Sequence, residues 1–448
     1  MIGKLTKREN TEQKKGHKLF IALMCLFVAM FFVRNIFEIE FPVILYLPVL
    51  ALIALVSTKT ELLSLMLAII SFGAGFQIKY GFLICAIIYI VKFGRSIKRF
   101  QYALVVVFMF VWELLHAFAW DFSLFESLRN FSELIVLALF FISEGVEYDD
   151  DFMMRIFAYC SLIAASIVFI INLKYFQWDM NAFLEAGQRF GEGLRDEENF
   201  SFSFNPNSLG LSSNMGIMGL LMLINNKRAK LLDYIVFILL IAVGLLTMSR
   251  SFIICLVLIL LYYFAFQNGT LKKKVLSIAG LALLLVAIIL VATVVAPDIM
   301  ETYAKRFIVD DITNGRDVLL TFYNDHIMSG AQYLLFGVGL QNYGDKVNRI
   351  HNTNMNVSHN AYQELIVVWG IVGLALFIYL IYCLIKRAKE NSSKMVALSY
   401  LPIGLFLFKL MSGQFISSGV EILYLALIFV YMCYPQKEQI RRQAIGKE

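Results

Sequence analysis

Residues 231–267 read LLDYIVFILLIAVGLLTMSRSFIICLVLILLYYFAFQ. Two apolar runs flank one short polar turn, Thr247-Met248-Ser249-Arg250-Ser251. Each run has about the 17–25 residues a helix needs to cross a bilayer. Neither shows the two-residue alternation of an outer-membrane barrel strand. The same pattern recurs at 19–34, 41–57, 61–75, 80–93, 101–119, 129–143, 152–173, 204–224, 275–296, 359–385, 395–411 and 415–434. With 231–248 and 251–267 this makes fourteen candidate spans. The third and fourth are short and can form a re-entrant pair, which would leave twelve.

Composition points the same way. Of 448 residues, 60% are hydrophobic and 16% charged, and mean hydropathy is +0.73. A soluble domain is nearer about 45–50% apolar and about 25% charged. The excess excludes a soluble globular enzyme, a disordered chain and a disulfide scaffold, because one core cannot hide so much apolar surface. The predicted fold is an all-α polytopic membrane protein, a single integral domain over 1–448 with 12–14 transmembrane helices. The six cysteines form no CxxC pair and read as small buried hydrophobes.

Charge sets the predicted orientation. Residues 1–18 carry Lys4, Lys7, Arg8, Lys14, Lys15 and Lys18, and form a basic cytoplasmic tail. Alternate connections repeat the bias at 92–99, 227–230, 272–274, 386–394 and the second cytoplasmic tail, 435–448. With Lys59 and Arg155, these inside segments hold 26 of the 39 basic residues, so both termini are expected inside. The first apolar run lacks a small-residue cleavage site and reads as a retained span. Two long connections fall outside, 174–203 and 297–358. Their aromatic residues suggest ordered caps carrying short amphipathic helices, such as 316–328.

The few outer cations can be weighed singly. Lys174, Arg189 and Arg195 lie in the first loop, and Lys305, Arg306, Arg316, Lys346 and Arg349 in the second. Arg250 must lie at the membrane edge, because its turn is so short. An arginine there either snorkels or binds an anion, for which its planar fork suits phosphate oxygens. The acidic residues of the first loop read as a hydrated face. Among the histidines, His116 sits one helical turn from Glu113 and reads as part of a polar pair inside the bundle. His326 and His351 read as solvated. His359 opens the run His359-Asn360-Ala361-Tyr362-Gln363-Glu364, where loop becomes span, and a histidine there can act as a base near neutral pH. No P-loop, Rossmann fingerprint, His-Glu-x-x-His or Ser/His/Asp arrangement is present.

Several strings now fall in order: Ser249-Arg250-Ser251; Lys305-Arg306-Phe307; Asn314-Gly315-Arg316; Phe336-Gly337-Val338-Gly339; His359-Asn360; and Trp369-Gly370-Ile371-Val372-Gly373. Asn205-Pro206-Asn207 precedes them. Over about 185–380 this order resembles the O-antigen polymerase and ligase family, the Wzy-type polymerases and O-antigen ligases. The resemblance implies metal-independent glycosyl transfer without a cofactor, from undecaprenyl-diphosphate-linked oligosaccharide on the outer face of the cytoplasmic membrane. It implies Arg250 and Arg316 as the leading diphosphate ligands, with Arg189 or Arg195 as a third and Arg306 as a fourth. His359 becomes the acceptor-activating base, with Asn205, Asn207, Asn360 and Glu364 as further candidates to touch substrate. The implied function is a polymerase of O-antigen, capsule or exopolysaccharide repeat units, working beside a flippase and a chain-length regulator and with no nucleic acid. A ligase moving a finished glycan, and a lipid-linked sugar flippase, are the alternatives.

Overall fold

The computed structural model describes residues 2–37, 39, 42–72, 78–94, 97–119, 131–143, 149–179, 182–183, 190, 205–266, 270–272, scattered positions of 274–293, 297–304, 315–390, 397–417 and 420–445. Among these it contains helices and no strand, so the all-α polytopic class holds. The helices are α1 (Ile2–Ile36), α2 (Tyr46–Val56), α3 (Lys59–Ser71), α4 (Ile78–Phe93), α5 (Leu104–Ala119), α6 (Ser132–Ile142) and α7 (Asp150–Tyr175). There follow α8 (Pro206–Asn225), α9 (Leu231–Leu246), α10 (Arg250–Phe266), α11 (Pro297–Ala304), α12 (Arg316–Met328), α13 (Ala331–Leu335) and α14 (Tyr343–His351). The chain closes with α15 (Ala361–Glu390), α16 (Leu401–Leu410) and α17 (Val420–Ile445). Each candidate span coincides with helix, and 275–296 is helical at every position described there. Among the described residues, five helices are long and apolar enough by themselves to cross a membrane.

Outward faces are apolar, as a bilayer solvent requires: Val91, Phe118, Leu231 and Ile238 are all exposed. Short helices occupy the interior instead. α3 buries every residue from Glu61 to Ser71, and its 13 residues rise only about 20 Å. It starts on a reciprocal cap, in which the Thr58 N–H donates to Glu61 Oε2 at 2.8 Å and the Glu61 N–H to Thr58 Oγ1 at 3.4 Å.

One end of the bundle is tied by charge. Arg387 is fully buried, and its guanidinium donates to the carbonyls of Phe141 (2.7 Å) and Ser143 (3.0 Å), satisfying the end of α6. Arg155 donates to Asp233 Oδ2 at 3.0 Å and to the Arg228 carbonyl at 2.6 Å. Part of the basic excess in these connections therefore holds helix ends together.

The opposite end contains a break that the hydropathy pattern does not reveal. The sequence reads 359–385 as one continuous span, yet Gly370 leaves helical geometry at φ 67°, ψ −165°. A broken helix in a membrane must rehouse its carbonyls. Here the Val338 N–H donates to Val367 O at 2.9 Å, and the Gly339 N–H to Val368 O at 2.7 Å. Trp112 Nε1 donates to Trp369 O at 3.1 Å. The Phe336-Gly337-Val338-Gly339 string is thus the plug that fills the break. Glycine is required on both faces: a Cβ on Gly337 would lie 2.5 Å from the Val368 carbonyl, and one on Gly370 would lie 2.2 Å from that of Leu335.

Buried polar groups on α5 clamp the plug. The Leu340 N–H reaches both Glu113 oxygens, at 3.2 and 3.0 Å, and Trp369 Nε1 donates to Glu113 Oε2 at 2.6 Å. His116 Nε2 contacts the Phe336 carbonyl at 2.5 Å, and Lys346 Nζ donates to Val338 O at 3.0 Å. Glu113 and His116 do share a face, as their spacing suggested, and what they bind is a loop 220 residues or more away.

Candidate functional site

Arg250 opens α10 on a turn shaped by its neighbours. Met248 takes a left-handed backbone at φ 48°, and Thr247 Oγ1 donates to Gly244 O at 2.6 Å. Ser249 Oγ donates to Asn207 Oδ1 at 2.9 Å, joining the turn to the start of α8. Gly210 permits this approach, since a Cβ there would meet Phe252 Cβ at 3.0 Å and Thr247 Oγ1 at 3.4 Å. The adjoining Asn-Pro-Asn string is a helix start: Asn205 Oδ1 accepts from the Asn207 N–H at 2.9 Å, and Pro206 occupies the first turn.

Arg316 opens α12 immediately after Gly315, whose φ of 74° suits glycine. Burial, and the like charge of Arg250 beside it, hold the Arg316 guanidinium below its ordinary value. An arginine stays protonated regardless. An anion beside the Arg316 guanidinium would relieve that repulsion.

His359 is half-buried and lies just before the cap of α15. Asn360 Oδ1 is that cap, accepting from the N–H groups of Tyr362 (3.0 Å) and Gln363 (3.2 Å). Gln363 Nε2 then donates to Leu320 O at 2.7 Å and to Asn324 Oδ1 at 2.9 Å. Leu320 lies one turn beyond Arg316, so this bridge fixes the start of α15 beside the helix that carries Arg316.

Glu364 has a different position from the one its sequence neighbourhood suggests. It is fully buried, and accepts from the N–H groups of Phe415 (2.6 Å), Ile416 (3.2 Å) and Ser417 (3.0 Å) and from the Ser417 hydroxyl. Its oxygens are occupied by the loop between α16 and α17. Asn205 and Asn360 likewise spend a side-chain oxygen on backbone N–H groups, so all three are better placed to position the site than to bind substrate.

Arg189, Arg195 and Arg306 lie outside the described residues. Phe190, next to Arg189, is buried, and its N–H donates to Leu246 O at 3.1 Å, four residues before Arg250. Lys409 on α16 was missed by the outer-loop reading because it sits inside an apolar run. It is 8% exposed, and Arg316, Glu421 and Cys255 lie within electrostatic reach. A lysine inside such a run is itself a signal.

The far end of α12 meets α14 through a pair of histidines. His326 Nδ1 and His351 Nε2 are 2.9 Å apart, linking α12 to α14, and Tyr333 packs on the His326 ring. His326 is buried rather than solvated, contrary to the sequence expectation, because α12, α13 and α14 fold over it. Burial and the neighbouring His351 lower it from 6.5 to about 4. The unfolded segment therefore binds the proton more readily over that interval, and stability is complete above about 6.5 and falls as pH drops toward about 4. Amide protection factors over 316–351, corrected for intrinsic exchange at each pH, should fall between pH 6.5 and 4.5, and less so in His326→Phe. Equal protection at both pH values would contradict this.

Fold and site define a polytopic helical membrane protein with clustered cations at one end, close to a histidine-bearing helix start. Residues 235–378 match the family model described as O-antigen ligase, in agreement with the O-antigen polymerase and ligase resemblance. That stretch includes Arg250, Arg316, the plug, His359 and the broken helix. No individual curated protein matches the chain. The family match supports an enzyme of the class that transfers lipid-linked glycans in a membrane.

Proposed function

We propose that this chain is a polysaccharide polymerase. It would join undecaprenyl-diphosphate-linked repeat units on the outer face of the cytoplasmic membrane. The observation that carries the reading is the pairing of Arg250 with Arg316 at the bundle end where His359 precedes the start of α15. A polyprenyl tail holds its diphosphate at the membrane edge, the depth expected of Arg250. The acceptor hydroxyl oxygen forms a bond to the anomeric carbon, and the bond from that carbon to the diphosphate oxygen breaks. His359 takes the hydroxyl proton, and the electron pair leaves on the diphosphate. Fixed guanidinium groups stabilise the charge that develops there, so no metal is needed. Attack opposite the leaving group inverts the anomeric centre.

A ligase reading shares this chemistry and is favoured by the name of the matching family model. The two separate by acceptor. Purified protein is given its lipid-linked repeat unit alone, with EDTA, and products are resolved on a glycan gel. A ladder supports polymerisation. Transfer only after a second, unrelated acceptor lipid is added would replace the polymerase with the ligase. Movement of the lipid-linked unit across vesicles with no new glycosidic bond would sink both.

A further inference from the structure

The segment between α14 and α15 reads Asn352-Thr353-Asn354-Met355-Asn356-Val357-Ser358 and runs directly into His359. It carries an amide at 352, 354 and 356, and no charged side chain. From 353 to 358 it forms neither helix nor turn, yet it is held at several points. Asn348 on α14 clamps Met355 from both sides. Asn348 Nδ2 donates to Met355 O at 2.8 Å, and the Met355 N–H donates to Asn348 Oδ1 at 2.8 Å. Thr353 Oγ1 donates to the same Asn348 Oδ1 at 2.9 Å. From α12, the Tyr323 hydroxyl donates to Asn356 O at 3.0 Å. Ser358 Oγ donates to Gln363 Oε1 at 2.8 Å, and Gln363 is itself bonded to α12.

These bonds fix a row of side chains that touch nothing in the protein. Met355 and Val357 are half-buried, and Val357 lies over Gly344, where an added Cβ would meet its Cγ1 at 2.9 Å. Asn354 and Asn356 alternate with them and are exposed. Among the described residues their side-chain amides make no hydrogen bond. A loop that only connects two helices needs no such clamping, whereas side chains held ready for a ligand do. The chemistry of the row narrows the ligand. Each amide offers an acceptor and two donors, which suits neighbouring hydroxyl groups, and an uncharged row offers an anion little. Its position narrows it further, because Asn356 and Asn354 lie at most about 11 and 18 Å of chain from His359.

We propose that Asn354 and Asn356 form a saccharide subsite, whose amides bind hydroxyl groups of the acceptor glycan and lead its attacking end to His359. The inference rests on the transferase reading given above and adds to it the place of the acceptor. The row serves the acceptor rather than the donor diphosphate because it ends at the residue assigned to take the acceptor proton. The arginines assigned to the diphosphate stand on other elements, α10 and α12. Acceptor and donor recognition are therefore separable by substitution.

The test uses the full chain in lipid nanodiscs with two calorimetric probes. One is farnesyl diphosphate, and the other is the repeat-unit oligosaccharide of the host polysaccharide, released from its lipid by mild acid. The double variant Asn354→Ala, Asn356→Ala should bind the oligosaccharide about tenfold more weakly than wild type. It should keep wild-type affinity for farnesyl diphosphate and the wild-type melting temperature, since the two amides hold nothing in the protein. Arg316→Ala should do the reverse, losing farnesyl diphosphate and keeping the oligosaccharide. Wild-type oligosaccharide affinity in the asparagine variant, with farnesyl diphosphate lost in Arg316→Ala, would overturn the subsite and leave the arginine site standing. Unchanged affinities in both variants would overturn the arginine site as well. No binding of the oligosaccharide by wild type would overturn the subsite alone. A lower melting temperature for the asparagine variant, or loss of both probes, would make the amides structural and overturn it too.

Discussion

Arg250→Ala and Arg316→Ala should each lower kcat/KM for the lipid-linked donor by about 10²–10³, the cost of removing one fixed donor from a developing anion. The two guanidinium groups sit close enough that Arg250 disfavours the charge on Arg316. An anion bound beside Arg316 would offset that repulsion. Two consequences follow for measurement. The double variant should lose less than the product of the single losses, because groups that act on one phosphate act as a unit. Arg316→Ala should melt at or above the wild-type temperature, since the repulsion from Arg250 is removed. Lysine at either position should restore charge but not the two-pronged geometry, and recover only part of the rate. Steady-state kinetics on wild type and these five variants, with melting curves alongside, check this. Wild-type kcat/KM in either alanine variant would contradict it.

The second large effect is on stability. Gly370→Ala should destabilise the protein by about 3 kcal/mol or more. A backbone with φ near +60° and ψ near 180° is essentially confined to glycine and costs about 1–3 kcal/mol in other residues. Overpacking adds about 1–3 kcal/mol more. At Gly370 the added Cβ would lie 2.2 Å from the Leu335 carbonyl, which is backbone and cannot rotate away. Moving that backbone would pull Val338 and Gly339 off the carbonyls of Val367 and Val368. Gly404→Ala is the matched control, because a Cβ there meets nothing within 4 Å, in a helix where alanine is the better former. Thermal unfolding in nanodiscs should lower the first variant strongly and leave the second equal to wild type or slightly raised. Similar melting of the two would mean the plug does not hold the break.

Most of the membrane fold was legible in apolar run length. Each run contains helix among the described residues, and the amphipathic segment 316–328 is α12. Hydropathy could not show the break in α15, because Trp369-Gly370-Ile371 is as apolar as an unbroken helix. Its signal was the pair of glycine strings, 336–339 and 369–373, whose meaning appears only when they face each other. In the site, Arg250 and Arg316 were legible as cations where lipid-facing arginines are costly. The roles of Asn205, Asn360 and Glu364 were not, since a capping side chain and a substrate-binding one use the same atoms. Which N–H groups occupy them is decided by chain folding, as in the 51–53 residues that separate Glu364 from its donors.

The central claim is that His359 accepts the acceptor proton while the arginines hold the departing diphosphate. It is tested most directly by measuring release of undecaprenyl diphosphate by wild type and His359→Ala, with donor binding measured on the same preparations. The account predicts donor affinity near that of wild type and release slowed by about 10²–10⁴, the range typical of a lost general base. Release at the wild-type rate by His359→Ala would contradict it.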